Sequence, residues 1–357
     1  MGKSVSIQPA GIAMDLDELT YDLPRGSIAQ EPLPNREDSK LMDLTGGSPV
    51  HRGFSEFPSL LESGDCIVVN DSRVIPARIP AHKSTGGKAE ILLVRNLQDT
   101  RWEAMVSGKN ISSQRTLTVA NGSQIHIVDN LGNGRYVVDL EQLGTGEGDL
   151  WEVGEMPTPP YIKKQLAEPD RYQTVYSRSP GSVAAPTAGL HLSKGILGRL
   201  EDLSVNVASI TLHVGPGTFI PIRDNRVEDH TMEKEEYCVS QESARIINDT
   251  VKEGGRLIIV GTTTMRVMES CWDPKRGLVP GRGSTGLFIT VGHRFKTPVG
   301  MFLTNFHLPK STLLVMVSAY WGRERILSAY SEAVREGYRF YSFGDAMLLG
   351  PPSHREK

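Results

Sequence analysis

Between about Arg78 and Trp151 apolar and polar residues alternate in short runs, at residues 88–96, 101–108, 115–120, 124–130 and 134–140. A period of two is the mark of a half-buried β-strand. Asn121-Gly122 and Leu131-Gly132-Asn133-Gly134 supply turn residues between the runs, and no helical period interrupts them. Strands of this length and spacing predict a small antiparallel barrel. Pro157, Pro159 and Pro160 then return the chain to different territory.

Beyond Pro160 the period lengthens. Ser193 is placed to cap a helix whose Ile196, Leu197, Leu200 and Leu203 share one face, ahead of a strand around Val205 to Val214. Ser240 is placed to cap another, with Ala244, Ile247 and Val251 inward and Gly254-Gly255 ending it before the apolar run Arg256 to Val260. A third helix is expected over Arg323 to Arg335, followed by strand-like residues Tyr338 to Phe343. Alternating helices and apolar strands predict an α/β sheet, and the apolar run Asp65 to Asn70 belongs to it. The expected fold is therefore a discontinuous α/β domain, residues 1–78 and 156–357, interrupted by an inserted β-barrel domain at 79–155.

Composition narrows the class. The 357 residues carry 38% hydrophobic and 23% charged side chains, near globular norms, while 36 Gly and 22 Pro imply many shaped loops. No apolar stretch is long enough to span a bilayer, the longest being Leu313 to Val317, so a cytoplasmic protein without a membrane partner is expected. Cys66, Cys238 and Cys271 form no C-x-x-C pair and read as ordinary buried thiols. A net charge of −3 excludes blanket attraction to nucleic acid. Any RNA contact must come from local basic clusters, for which Lys163-Lys164, Arg323 with Arg325, and His354-Arg355 are candidates.

Five segments are too polar and glycine-rich for a core yet abut apolar strands or helices: residues 69–78, 185–191, 211–219, 261–266 and 304–312. Loops at strand ends of an α/β domain are where ligands bind, because strand carboxyl ends and helix amino ends converge there. At Gly261 three threonines lead into a helix, so that unpaired amides and Arg266 suit a carboxylate or phosphate, or else a threonine simply caps the helix. The start at Pro309-Lys310-Ser311-Thr312 has the same two readings. His191, His213 and His307 sit in such turns and are candidates for acid, base or orienting roles. No compact His, Cys or acidic spacing marks a metal site, and none is expected. Gly144-Thr145-Gly146-Glu147-Gly148 imitates a nucleotide-binding loop, but that motif needs a following helix, and Asp149 to Pro160 is not expected to form one.

Taken in order, these segments resemble the S-adenosylmethionine:tRNA ribosyltransferase-isomerase family along nearly the whole chain. Matching stretches also include Tyr21-Asp22-Leu23-Pro24, residues 28–32, Pro159-Pro160-Tyr161-Ile162, residues 171–176 and Gly344-Asp345-Ala346-Met347. The resemblance implies an α/β domain interrupted by a barrel, and a transferase of queuosine biosynthesis. It implies transfer and isomerisation of the ribosyl part of S-adenosylmethionine onto the aminomethyl-deazaguanine at a tRNA wobble position, with epoxyqueuosine, adenine and methionine as products. S-adenosylmethionine would be a co-substrate and tRNA the partner, with no obligate protein partner. Such chemistry requires a base, an acid for adenine and a dry pocket. His191 and His213 are the expected proton-transfer groups, with Asp71 beside them. Arg73, Thr187, Gly189, Gly215, Gly217, Thr218, Thr263, Arg266, Asn305, His307, Ser311 and Thr312 are the expected substrate-binding residues.

Three positions depart from the family pattern. Its H-x-M-H-x-E is here His230-Thr231-Met232-Glu233-Lys234-Glu235, its Pro-Gly-Tyr is Val291-Gly292-His293, and Gly300 stands for a frequent Asp. Two other readings follow: a paralogue with altered RNA or nucleobase preference, and a silent tRNA-binding module stacking bases on Phe306, Tyr320 or Trp321.

Overall fold

The computed structural model describes residues 14–111, 115–144, 146–164, 166–219, 222 and 226–352. Two compact units divide the chain. One comprises residues up to Asn70, Thr187–Leu212 and Gly217 onward; the other is Asp71–Pro186 with His213–Pro216.

The first unit is built on a nine-stranded mixed sheet. Its middle is four parallel strands in the spatial order Asn206–Leu212, Cys66–Asn70, Leu257–Val260 and Val299–Asn305. Cys66 to Val69 and Leu257 to Val260 are buried throughout, as strands covered on both faces must be. Ala346–Leu349 runs antiparallel to Val299–Asn305 and carries Lys40–Leu44 and Val50–Gly53 beyond it. On the other side Glu235–Val239 and Gly281–Thr285 extend the sheet antiparallel.

The helices start where the capping residues direct. Ser193 accepts from the Ile196 amide ahead of Lys194–Asp202, and Ser240 from the Ser243 amide ahead of Gln241–Lys252. Ile196, Leu200, Ala244 and Ile247 are buried, but Leu203 is exposed at the helix end. Arg323–Arg335 is the expected third helix. Tyr338 to Phe343 is not a strand: Tyr341 has φ of 76°, and the strand comes later, at Ala346–Leu349. The chain is bent there by Asp345, whose carboxylate accepts from the amides of Lys40 and Arg339.

The second unit holds a closed six-stranded antiparallel barrel, Arg78–Lys83, Lys88–Gln98, Arg101–Ser107, Thr116–Val119, Gln124–Gly132 and Arg135–Asp139. Alternate residues such as Ile79, Ile91, Leu93, Leu117, Ile125 and Val138 fill it. Arg78 and Glu155 exchange backbone hydrogen bonds of 3.2 and 2.7 Å, so the two ends of the barrel segment lie side by side. The unit reaches beyond 79–155, because Ser72–Val74 pairs with Ser179–Ser182 and Gln173 bonds both the amide and the carbonyl of Val74.

One expectation is overturned here. Glu147–Val153 is a short helix, driven by burial of Leu150 and Val153 in the barrel core. The glycine-rich loop nonetheless offers no anion cradle, since the Asp149 carboxylate itself accepts from the Gly146 amide at the helix start. All three cysteines are free thiols, and only Cys66 is buried. No helix among the described residues is long and apolar enough to cross a membrane.

Candidate active site

In the first unit the carboxyl ends of the four parallel strands are Leu212, Asn70, Val260 and Asn305, and each opens into one of the polar segments. The chain moves outward from Cys66–Asn70 in both directions, so this strand marks the topological switch point at which open α/β sheets bind ligands.

His191 ends a 3-10 turn, Thr187–His191, that also contains Gly189. Its ring is buried and stacks on Phe54 at 4.9 Å. The Asn305 amide donates to the carbonyl of Tyr341 at 2.8 Å, which turns Asn305 Oδ1 toward His191 Nε2, 3.3 Å away. Nε2 must then carry the proton, and Nδ1 accepts from the Ser39 hydroxyl at 2.8 Å. Burial holds the imidazole down to about 4, although its bond to Asn305 opposes this. Both ring nitrogens are engaged, Nδ1 by Ser39 and Nε2 by Asn305, and the ring is neutral.

His307 is also buried and pushed down to about 3 by desolvation. Its Nε2 meets the Thr304 hydroxyl at 2.9 Å, its amide donates to the Tyr330 hydroxyl at 3.0 Å, and its carbonyl accepts from Tyr21. These contacts fix the turn that leads into the helix Thr312–Trp321.

Two helix starts meet in the same unit. Gly261 adopts φ of 87° to turn strand into helix, which begins at Thr262. A small pocket is lined by Thr262, Thr263, Arg266, Phe288, Thr312 and Met316. The Thr312 hydroxyl is buried with no hydrogen-bond partner among the described residues. Ser311 caps its helix through the Leu314 amide and donates to the Leu308 carbonyl, so the simple capping reading holds there. At the Gly261 end no threonine caps; the Thr264 hydroxyl returns to the Val260 carbonyl instead. Arg266 brings no loose charge. Its guanidinium is paired with the buried Glu235 carboxylate and donates to the carbonyls of Leu287 and Thr285, because a cation at 3% exposure requires such partners.

The second unit carries Asp71, Arg73, His213 and Gly215. Asp71 is buried and accepts from Arg178 Nε at 2.7 Å, while its carbonyl takes the amides of Arg178 and Ser179. Arg73 reaches the Ser177 hydroxyl at 3.4 Å. The His213 imidazole, half-buried, lies over Gly181, where a Cβ would stand 3.1 Å from its Cε1. Val214 exchanges bonds with Ser182 and Val183. Asp71 and His213 are thus both held by the segment 178–183. The side chain of Thr218 lies outside the described residues.

The queuosine biosynthesis protein family matches residues 16–349. The chain belongs to that family. It is 48% identical over 94% of its length to the whole of an S-adenosylmethionine:tRNA ribosyltransferase-isomerase from Pelotomaculum thermopropionicum. It is 45% identical over 94% of its length to the whole of another so named from Staphylococcus haemolyticus. A solved structure, the S-adenosylmethionine tRNA ribosyltransferase of Thermotoga maritima, is similar with a TM-score of 0.52 and 31% identity, covering 93% of this chain and 99% of that one.

Within the queuosine biosynthesis family pattern, the three departures have local consequences. The Glu233 carboxylate packs on Gly217, 3.2 Å from where a Cβ would stand. His293 donates to the buried Glu269 at 3.0 Å, and together with the amides of Lys296 and Thr297 it holds that carboxyl below its ordinary range despite burial. Gly300 leaves room for Arg256, whose Cβ would lie 2.8 Å from a Cβ at 300. Phe306, Tyr320 and Trp321 are core residues at 0%, 0% and 3% exposure, so they present no face for stacking bases. Of the basic clusters, Arg323 pairs with Glu18 and Arg325 lies over the Trp321 ring at 3.6 Å; His354 and Arg355 lie outside the described residues.

Sequence reasoning passed over Ser39 and Asn70. Asn70 stood inside a noted segment, but an asparagine at a strand end has no chemistry of its own to signal. Ser39 had no signal at all, since only folding brings it to His191.

Proposed function

We propose that this chain is an S-adenosylmethionine:tRNA ribosyltransferase-isomerase. It transfers and isomerises the ribosyl moiety of S-adenosylmethionine onto the aminomethyl group of a deazaguanine at the tRNA wobble position, leaving epoxyqueuosine, adenine and methionine. One observation carries this: relatives bearing that activity in their names match it at 45–48% identity over their full length. The strand-end site in an α/β unit supports it.

His213 is the proton-transfer group, since its ring is only half-buried whereas those of His191 and His307 are buried. Asp71 and Arg73 orient substrate. Within the first unit His191 and Asn305 form a neutral, hydrogen-bonded pair. Thr263 and Thr312, with the two helix starts, receive the methionine end through hydroxyls and amide dipoles, and Arg266 supports them in its ion pair. S-adenosylmethionine is a co-substrate, and the tRNA base is splayed from its loop to reach it.

The test uses donor labelled separately in ribose and in methyl, with tRNA carrying the aminomethyl-deazaguanine. Ribose label is expected in the RNA, methyl label in methionine, and adenine is released. Methyl label retained on the RNA overturns the function.

A further inference from the structure

Backbone pairing between Asn206–Leu212 and Cys66–Asn70 ends at Ile210 opposite Asn70. Two residues farther on, the Asn70 side chain continues the ladder. Its Oδ1 accepts from the Leu212 amide at 3.0 Å, and its Nδ2 donates to the Leu212 carbonyl at 3.1 Å. The second Nδ2 hydrogen points to the Thr263 hydroxyl at 3.3 Å. The amide at 1% exposure therefore acts as a surrogate strand residue, while the main chain is released to diverge.

The next residue after Asn70 is Asp71, and the next after Leu212 is His213. We infer that Asn70 is a positioning residue for His213: by locking the ends of two parallel strands to each other and to Thr263, it sets where the His213 segment leaves the sheet. This rests on the reading that His213 transfers a proton in ribosyl transfer. A hydrogen-bonding side chain is required because the Leu212 amide and carbonyl are buried at a point where the neighbouring strand no longer supplies partners. An apolar residue of equal size would leave both unpaired and the exit angles loose. Asparagine alone among residues of this length both donates and accepts in the geometry of a peptide group.

The experiment is a double-mutant cycle on the full-length protein, with ribose-label transfer, the KM for S-adenosylmethionine and the melting temperature measured for N70A, H213A and the double variant. N70A is expected to lower kcat on the order of 100-fold, the scale of a small misplacement of reacting groups, with KM changed by less than about three-fold. In the H213A background the same substitution is expected to lower kcat by no more than about three-fold, because the group it positions is gone. Equal losses in both backgrounds, or no loss of kcat per folded molecule, overturn the inference and leave Asn70 a stabilising residue. Should N70A fail to fold, N70D goes through the same cycle; it keeps an acceptor for the Leu212 amide but loses the donors in its ionised form. Failure of the wild-type protein to transfer ribose label strikes the proposed function instead. H213A at the wild-type rate removes the role of His213, and this inference with it.

Discussion

His191 and Asn305, 114 residues apart in the chain, meet through Nε2 and Oδ1 at 3.3 Å, and the backbone of Tyr341 decides which way the amide faces. The contact sets the tautomer of a buried, uncharged imidazole. His307, two residues beyond Asn305, is uncharged for the same reason of burial.

A pH dependence follows. Both histidines are held below their ordinary value, to about 4 and about 3, so the unfolded chain takes up protons first as pH falls. Their stabilisation is complete above about pH 6.5 and is lost progressively from there toward the folded values. Urea unfolding midpoints are expected to drop steadily between pH 6.5 and 4, and His191→Gln should flatten that slope. A slope unchanged by the substitution would show that His191 does not couple protons to folding.

The buried ion pair of Arg266 and Glu235 makes a prediction of opposite single and double effects. Arg266→Met or Glu235→Gln alone is expected to cost about 3–5 kcal/mol, because each strands a desolvated partner. Replacing both with apolar residues should recover most of that loss. Chemical denaturation of the three variants decides it, and losses that simply add would refute the pairing.

Kinetics separate the histidines. His213→Ala is expected to lower kcat with little change in the KM for S-adenosylmethionine, whereas His191→Ala should lower the melting temperature together with activity. Single-turnover assays on folded protein make the comparison. Full activity in His213→Ala would return proton transfer to another group.

Gly300→Asp is expected to destabilise this chain by about 1–3 kcal/mol. A Cβ there would stand 2.8 Å from that of Arg256, whose guanidinium is held on Asp65. Gly300→Ala, which adds the same Cβ, should lose stability as well, as thermal melts would show; an unchanged melting temperature would refute the crowding.

The sequence by itself determined the barrel, since period-two alternation such as Ile91 and Leu93 allows only a half-buried strand, and the helix starts at Ser193 and Ser240, since capping is local. It also located the polar segments, because glycine, threonine and histidine beside apolar strands are visible in one dimension. Local order misled at Tyr338 to Phe343, where the left-handed Tyr341 and the distant Lys40 amide on Asp345 outweigh strand propensity. Only the tertiary structure decided which side chains are spent on one another. Ser39, Asn305 and His191, or Arg266 and Glu235, meet through sheet order rather than sequence distance, and burial makes each polar group depend on the partner it finds there. Asn70 was readable as a letter in a motif, but its pairing with Leu212 across 142 residues belongs to the fold.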